Sequence, residues 1–269
     1  MSARSGPGYT PVRTADGSWT LAHPGHGETL HSRSGAWQEA VERYATPCRL
    51  RERALAGRAE LHLLDVGTGL GLNLAAALAA LEGTGTRLIV VSLERDRSVI
   101  EAAFGLDAGP GERWHAPVRV ALRAALPGGL AETPGGRAKV ELGAAGGELR
   151  LLLGDARATL PRLELAPRFD AVFLDPFSPR VEPELWEAGF LVEIARRMAP
   201  GSLLSTFSAA TRVRVALAGA GLAVARGPRV GTKAEGTLAG PDPADVARRP
   251  PWRAGSAAPA VPHASPTRQ

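Results

Sequence analysis

The strongest constraint on the fold is a strand, a glycine-rich turn and a helix in direct succession. Leu61-His62-Leu63-Leu64-Asp65-Val66 is an apolar run of strand length, and Gly67-Thr68-Gly69-Leu70-Gly71 follows it. A helix is expected from near Leu70 through Asn73-Leu74-Ala75-Ala76-Ala77-Leu78, strong helix formers that Gly83 and Gly85 stop. Such a turn lets backbone approach a ligand closely and aims helix N-terminal N–H groups at it. Its spacing lacks the two-residue gap of the dinucleotide fingerprint, and no Gly-Lys-Ser/Thr follows as in a phosphate loop. An ordinary glycine loop gives the same pattern, so other segments must name the ligand.

Strand-length apolar runs alternate with helix-like stretches along the chain, the order of a parallel sheet covered on both faces. Further strands are expected at Arg87 to Leu93, Phe169 to Asp175, Ser202 to Ser208, Leu222 to Arg226 and Gly236 to Ala239. Arg137 to Leu153 reads as a hairpin around Gly146-Gly147. Helices are expected from Pro183 to Met198, ended by Pro200-Gly201, and from Ala209 to Ala220. The whole is an α/β, Rossmann-like, doubly wound sheet, mostly parallel with an antiparallel last strand. Ala103 to Lys139, with Trp114 and His115, reads as a helical insertion in preference to a lid. The expected domain spans 31–239. Residues 1–30 read as a loosely ordered lead-in, and 240–269, with seven prolines, as a disordered tail unable to offset its ordering entropy.

At 269 residues the chain has room for one α/β domain with a sizeable core. No apolar run approaches the roughly 20 residues that span a bilayer, so no membrane role is expected. Cys48 is the sole cysteine and Met1 to Gly8 lacks an apolar stretch, which point to the cytoplasm. The net charge of +5 and a pI near 10.2 suit a nucleic-acid partner. Of 32 basic residues only Lys139 and Lys233 are lysine, so arginine-rich codon usage accounts for the charge equally well. No metal site and a monomeric state are expected.

Carboxylates at successive strand ends sharpen the turn's meaning. Glu94 closes the second central strand 23 residues after Gly71, about where α/β nucleoside sites place an acid to accept ribose hydroxyls. Asp155, in Gly154-Asp155-Ala156, is suited to the adenine amino group, although an Asp capping a helix gives the same pattern. Asp175 ends the next core strand. Ligands of open parallel sheets bind beyond the carboxyl ends of the strands. The cofactor expected is S-adenosyl-L-methionine, held by Asp65, Gly67, Thr68, Gly69, Gly71, Asn73, Glu94, Asp155 and Ala156, and the fold is that of a class I methyltransferase.

Asp175 is the expected catalytic residue. Methyl transfer from a sulfonium is an in-line displacement that needs an aligned neutral nucleophile. A primary amine with a pKa of roughly 10 arrives protonated and must lose a proton. A carboxylate there positions the amine first and accepts a proton second.

Three further stretches carry a resemblance: Phe173-Leu174-Asp175-Pro176-Phe177-Ser178-Pro179, then Glu182-Pro183-Glu184-Leu185-Trp186, then Ala199-Pro200-Gly201-Ser202-Leu203-Leu204-Ser205-Thr206-Phe207-Ser208. Together with His31-Ser32-Arg33-Ser34-Gly35-Ala36, Glu39 and Gly231-Thr232-Lys233-Ala234-Glu235, they make the chain from about Thr14 to Ala239 resemble the methyltransferase domain of the MnmC-type tRNA wobble-uridine modification enzymes. The resemblance implies methylation of the amino group of 5-aminomethyl(-2-thio)uridine in tRNA. Many members fuse this domain to a flavin-dependent oxidase. No such domain fits in this chain, which would supply the methyl-transfer step alone. Phe177, Arg214 and Lys233 are the implied substrate contacts, and Arg212, Arg214, Arg229 and Lys233 an expected basic rim near Asp175. Where well-known members carry two consecutive arginines, this chain has Arg214 then Val215.

Other readings remain open on the residues alone. An aminopropyltransferase of spermidine synthase type shares the sheet and the Gly-Asp-Ala turn, but normally has an N-terminal β-domain. A variant of the Asp-Pro-Pro-Tyr base amino-methyltransferases lacks its tyrosine here. A non-enzymatic RNA-binding module has no need of four strand-end acids and three glycines together.

Overall fold

The computed structural model describes residues 8–126, 137–140, 145–165, 168–231 and 235–252. The chain opens with a hairpin, β1 (Thr10–Arg13) and β2 (Trp19–Ala22). Helix α1 (Ala36–Glu39) runs on into a π-helical turn, Ala40–Ala45, and α2 (Leu50–Leu55) follows. The central alternation then begins with β3 (Glu60–Val66), α3 (Leu72–Leu81), β4 (Arg87–Glu94), α4 (Arg97–Ala103) and α5 (Glu112–Ala125). It continues with β5 (Arg137–Val140), β6 (Gly147–Leu153), α6 (Ala156–Thr159), β7 (Phe169–Leu174), α7 (Ala188–Ala195) and β8 (Met198–Thr206). The last elements are α8 (Thr211–Gly219), β9 (Ala223–Arg226), β10 (Thr237–Gly240) and α9 (Pro243–Val246).

Among the described residues the main sheet has eight strands in the order β5-β6-β4-β3-β7-β8-β10-β9. β6, β4, β3, β7 and β8 are parallel. β10 runs antiparallel to both β8 and β9, as expected of the last strand, and β5 is antiparallel to β6, as the Gly146-Gly147 hairpin requires.

The continuous apolar runs of the central strands follow from burial on both faces. Leu61 and Leu63 of β3 pack with α1, α3 and α5, while Leu64 and Val66 of the same strand pack with α7 and α8. β7 divides likewise, Ala171 and Phe173 to the first side and Val172 and Leu174 to the second. Burying each Leu contributes roughly 2 kcal/mol, and these residues are at most 1% exposed. The strand ends are thereby fixed against a rigid core.

Three expectations differ from the structure. The described part of the lead-in is structured: Asp16 Oδ1 accepts from the Ser18 N–H at 3.0 Å and Asp16 Oδ2 from the Gln38 N–H at 2.9 Å, so one carboxylate closes the hairpin and ties it to α1, while residues 1–7 lie outside the described residues. Leu21 then enters the main core fully buried. The part of the tail over 241–252 is structured: Asp242 and Asp245 form a reciprocal capping box around α9, Val246 is buried, and the Trp252 N–H donates to the Val224 carbonyl at 3.2 Å, while the rest of the expected tail, 253–269, lies outside the described residues. The helix expected from Pro183 is broken into a 3-10 turn, Pro183–Trp186, and α7. No described helix is long and apolar enough to cross a membrane.

Candidate functional site

The parallel strands β3, β4 and β7 deliver their C-terminal ends to one cavity of about 660 Å³. Gly67, Gly69 and Gly71 all have positive φ (87°, 53° and 79°), backbone that side-chain-bearing residues rarely adopt. Gly67 is also pinned sterically, since a Cβ there would lie 2.5 Å from the Asp175 carbonyl oxygen. The turn can therefore draw the ends of β3 and β7 together, and the Asp175 N–H donates to the Val66 carbonyl at 2.9 Å. Gly71 begins α3, and a Cβ there would meet Val118 and Leu122 of α5 at 2.9 Å. Its role is packing.

Two hydrogen-bonded supports fix the turn from behind. Buried Asp65 is linked through Ser92 to Thr68, with both oxygen–oxygen distances 2.6 Å. Burial pushes the Asp65 carboxyl up to about 8, aided by the charges of Asp175 and Glu94 and opposed by the Ser92 hydrogen bond. From α5, His115 Nε2 lies 2.7 Å from the Leu70 carbonyl and its Nδ1 lies 2.8 Å from Arg119 Nη1. Arginine can only donate, so Nδ1 accepts and Nε2 carries the proton given to Leu70. Burial lowers the His115 pKa, consistent with this neutral form.

Glu94 faces the cavity with its carboxylate held by backbone: Oε2 accepts from the Gly69 N–H at 3.0 Å, and Oε1 from Arg95 and Asp96 at 2.8 and 2.9 Å. Burial raises its pKa against the lowering effect of those N–H donors. A carboxylate accepts about four hydrogen bonds, which leaves capacity toward the cavity. Asp155 and Ala156 line a side recess shared with Gly67, Leu93 and Glu94. Asp155 is the N-cap of α6, accepting from the Arg157 N–H at 2.9 Å, and its pKa is lowered first by the Arg157 guanidinium. The capping alternative weighed from sequence is thus what its contacts display.

Asp175 lies in the cavity wall with its side chain 7% exposed. The buried Tyr44 hydroxyl donates to Oδ1, the Asn73 amide donates to Oδ2 at 2.8 Å, and His31 Nε2 lies 3.8 Å from Oδ2. Burial, then the Asp175 charge, keep the Tyr44 pKa well above its ordinary value, so the phenol stays a donor. Asn73, expected at the cofactor, is therefore bonded to the catalytic candidate. Tyr44 was missed, because it lies 131 residues away in a helical stretch with no motif of its own.

Phe177 lines the cavity, with its N–H donating to Glu182 Oε2 at 3.0 Å and its carbonyl accepting from Trp186 Nε1 at 2.9 Å. Arg214 does not join a rim. It is buried, and its guanidinium donates to Thr237 Oγ1 at 2.9 Å, the Gly236 carbonyl at 2.8 Å and Glu235 Oε1 at 3.0 Å. A desolvated arginine satisfied by three acceptors is committed to holding β10. Arg212 and Arg229 are exposed and do not line the cavity, and Lys233 lies outside the described residues. Among the described residues no group of acids, histidines or cysteines could hold a metal ion.

The sheet order, the glycine turn and the Glu94 carboxylate define the class: a class I S-adenosylmethionine-dependent methyltransferase. A family model of S-adenosyl-L-methionine-dependent methyltransferases matches residues 122–241. The chain is 35% identical over 209 residues to the tRNA 5-methylaminomethyl-2-thiouridine biosynthesis bifunctional protein MnmC of Aromatoleum aromaticum, covering 75% of this chain and 31% of that protein. It is 36% identical over 243 residues to the same-named protein of Pseudomonas paraeruginosa, covering 85% of this chain and 34% of that protein. The crystal structure of MnmC2 from Aquifex aeolicus superposes with a TM-score of 0.71 at 29% identity, covering 93% of this chain and 80% of that one. The chain belongs to the methyltransferases of the MnmC type, and spans about a third of the length of the curated relatives it matches.

The residues present fit the methyl donor. Glu94, whose carboxylate is held by three backbone N–H groups, presents an acceptor in the cavity wall beside Gly67 and Gly69. An acceptor-rich strand end suits a ligand that offers ribose hydroxyls and an ammonium.

Proposed function

We propose that the chain transfers a methyl group from S-adenosyl-L-methionine to the amino group of 5-aminomethyl(-2-thio)uridine at the wobble position of tRNA, as a cytoplasmic enzyme. The observation that carries this reading is Asp175, held by Tyr44 and Asn73 in the wall of the cavity that also contains Glu94 and the glycine turn. The relatives' printed names, which concern 5-methylaminomethyl-2-thiouridine in tRNA, support the substrate.

The cofactor supplies an electrophilic methyl carbon on a sulfonium. Glu94 would accept the ribose hydroxyls, Gly67 and Gly69 would let the backbone come close, and Asp155 with Ala156 would border the adenine. Asp175, with one oxygen fixed by Tyr44 and the other by Asn73, takes the substrate amine by its remaining lone pairs. Holding the amine in line is the larger part of its work, because orientation alone supplies a large share of the barrier reduction in such displacements. On taking the methyl group that the cofactor would supply, the amine would give up one proton. Asp175 accepts that proton, with His31 adjacent to Oδ2. Burial favours the neutral form of Asp65, which limits negative charge beneath Asp175.

The test is methylation of tRNA carrying 5-aminomethyluridine, read by nucleoside mass spectrometry. Wild type is expected to form the methylamino product. Asp175→Ala is expected to lower turnover by about 100-fold or more, within the usual range for a proton-accepting side chain, while calorimetry finds S-adenosylmethionine binding retained. Product from wild type alone supports the assignment; unmethylated tRNA after prolonged incubation with cofactor-competent enzyme rejects this substrate.

A further inference from the structure

The cavity is also lined by aromatic rings that the roles assigned above leave largely unused. His23 and His26, both from the lead-in, stack with centroids 4.2 Å apart and planes 22° from parallel. His23 also meets Phe177 and Tyr9 edge-to-face, each at 5.2 Å. All four rings line the same cavity as Asp175. We propose that His23, His26 and Phe177 form a stacking wall that takes a pyrimidine ring of single-stranded RNA, an inference that rests on the RNA-substrate reading above.

The wall is pre-organised. His23 Nδ1 accepts from the Gly25 N–H at 3.0 Å, which fixes the ring's orientation. The loop that carries it is fastened to the Phe177 loop through Glu28, whose Oε1 accepts from Ser178 Oγ at 2.7 Å and from Arg180 at 2.8 Å. Burial, then the neighbouring His26, lower the His23 pKa, so a neutral flat ring faces the ligand at pH 7. His26 is exposed and His23 and Phe177 only half-buried, unlike rings sealed in a core. Chemistry on a base substituent requires the base to leave its stack, and unstacked bases are taken up on aromatic side chains, histidine among them. Phe177 and Asp175 line the same cavity, so a base held against this wall shares that cavity with the carboxylate.

The probe is a uridine trinucleotide, whose binding is measured by fluorescence anisotropy with S-adenosylhomocysteine present. His23→Ala and His26→Ala are each expected to weaken binding about tenfold, the scale of one lost base–aromatic stack. His23→Phe and His26→Phe, which keep a flat ring, should remain within about threefold of wild type. Calorimetry with S-adenosylhomocysteine reports that each variant is folded. Failure of wild type to bind the trinucleotide, or equal binding by folded alanine and wild-type proteins, overturns the wall. Ring-dependent binding without methylation of the aminomethyluridine tRNA keeps the wall and rejects the proposed substrate. Methylation with an unchanged KM in the alanine variants does the reverse.

Discussion

Asp65 and Asp175 end neighbouring strands, and their surroundings give them different chemistry. Asp65 is sealed beneath the turn with one hydroxyl partner, and burial raises it to about 8. Its unfolded value is about 3.9. Between those values the native state binds the extra proton, so the stability this group contributes is full below about pH 4 and is lost as pH rises through about 8. Asp65→Asn, similar in shape and without a titration, is expected to remove that slope: the Tm of ligand-free wild type should fall relative to the variant between pH 4 and 8. Glu112, held near 2 first by its hydrogen bond from Arg119, acts in the opposite sense as pH falls below about 4.5 and is common to both proteins, so it cancels in the difference. A pH-independent difference in Tm would mean that Asp65 is ionised throughout. Asp175 instead meets two donors, Tyr44 and Asn73. Sequence marked both acids by position, Asp65 for the cofactor and Asp175 for catalysis, but not the surroundings that set their protonation.

Among the elements, α5 shows what an insertion can do. Read from sequence, the stretch around Trp114 and His115 was a helical insertion, and it does form a helix, with Trp114 stacked on Trp37 at 5.6 Å. Its added role is to reach across to the glycine turn through His115 and Leu70. His115→Leu leaves the Leu70 carbonyl and an Arg119 N–H without this partner. The expected cost is about 1–3 kcal/mol of stability in denaturant unfolding, because a buried acceptor loses its donor, together with weaker binding of S-adenosylmethionine in calorimetry. Lost stability with unaltered cofactor affinity would confine α5 to packing. The strands and α3 were legible because periodicity and propensity act locally. The His115 contact bridges 45 residues, and no local signal encodes it.

At the scale of the molecule, the lead-in belongs to the structure it was expected only to precede. Leu21 is fully buried in the core that contains Leu61, Leu63 and Phe173, and the following loop supplies Glu28 and His31 to the cavity. Leu21→Ala is expected to cost about 2–5 kcal/mol within a single cooperative transition; a change under about 0.5 kcal/mol would return the lead-in to a loose segment. Sequence alone determined the parallel sheet, the glycine turn, the strand-end acids and the methyltransferase class. Those features arise from local rules: apolar strands buried on both faces, glycine at positive φ, and strand ends that open at one edge. Only the tertiary structure decided which acid is enclosed by donors, that Tyr44 and Asn73 serve Asp175, and that Arg214 is committed to Glu235 and β10. Desolvation and hydrogen bonding between distant segments set those outcomes, and neither exists until the chain has folded.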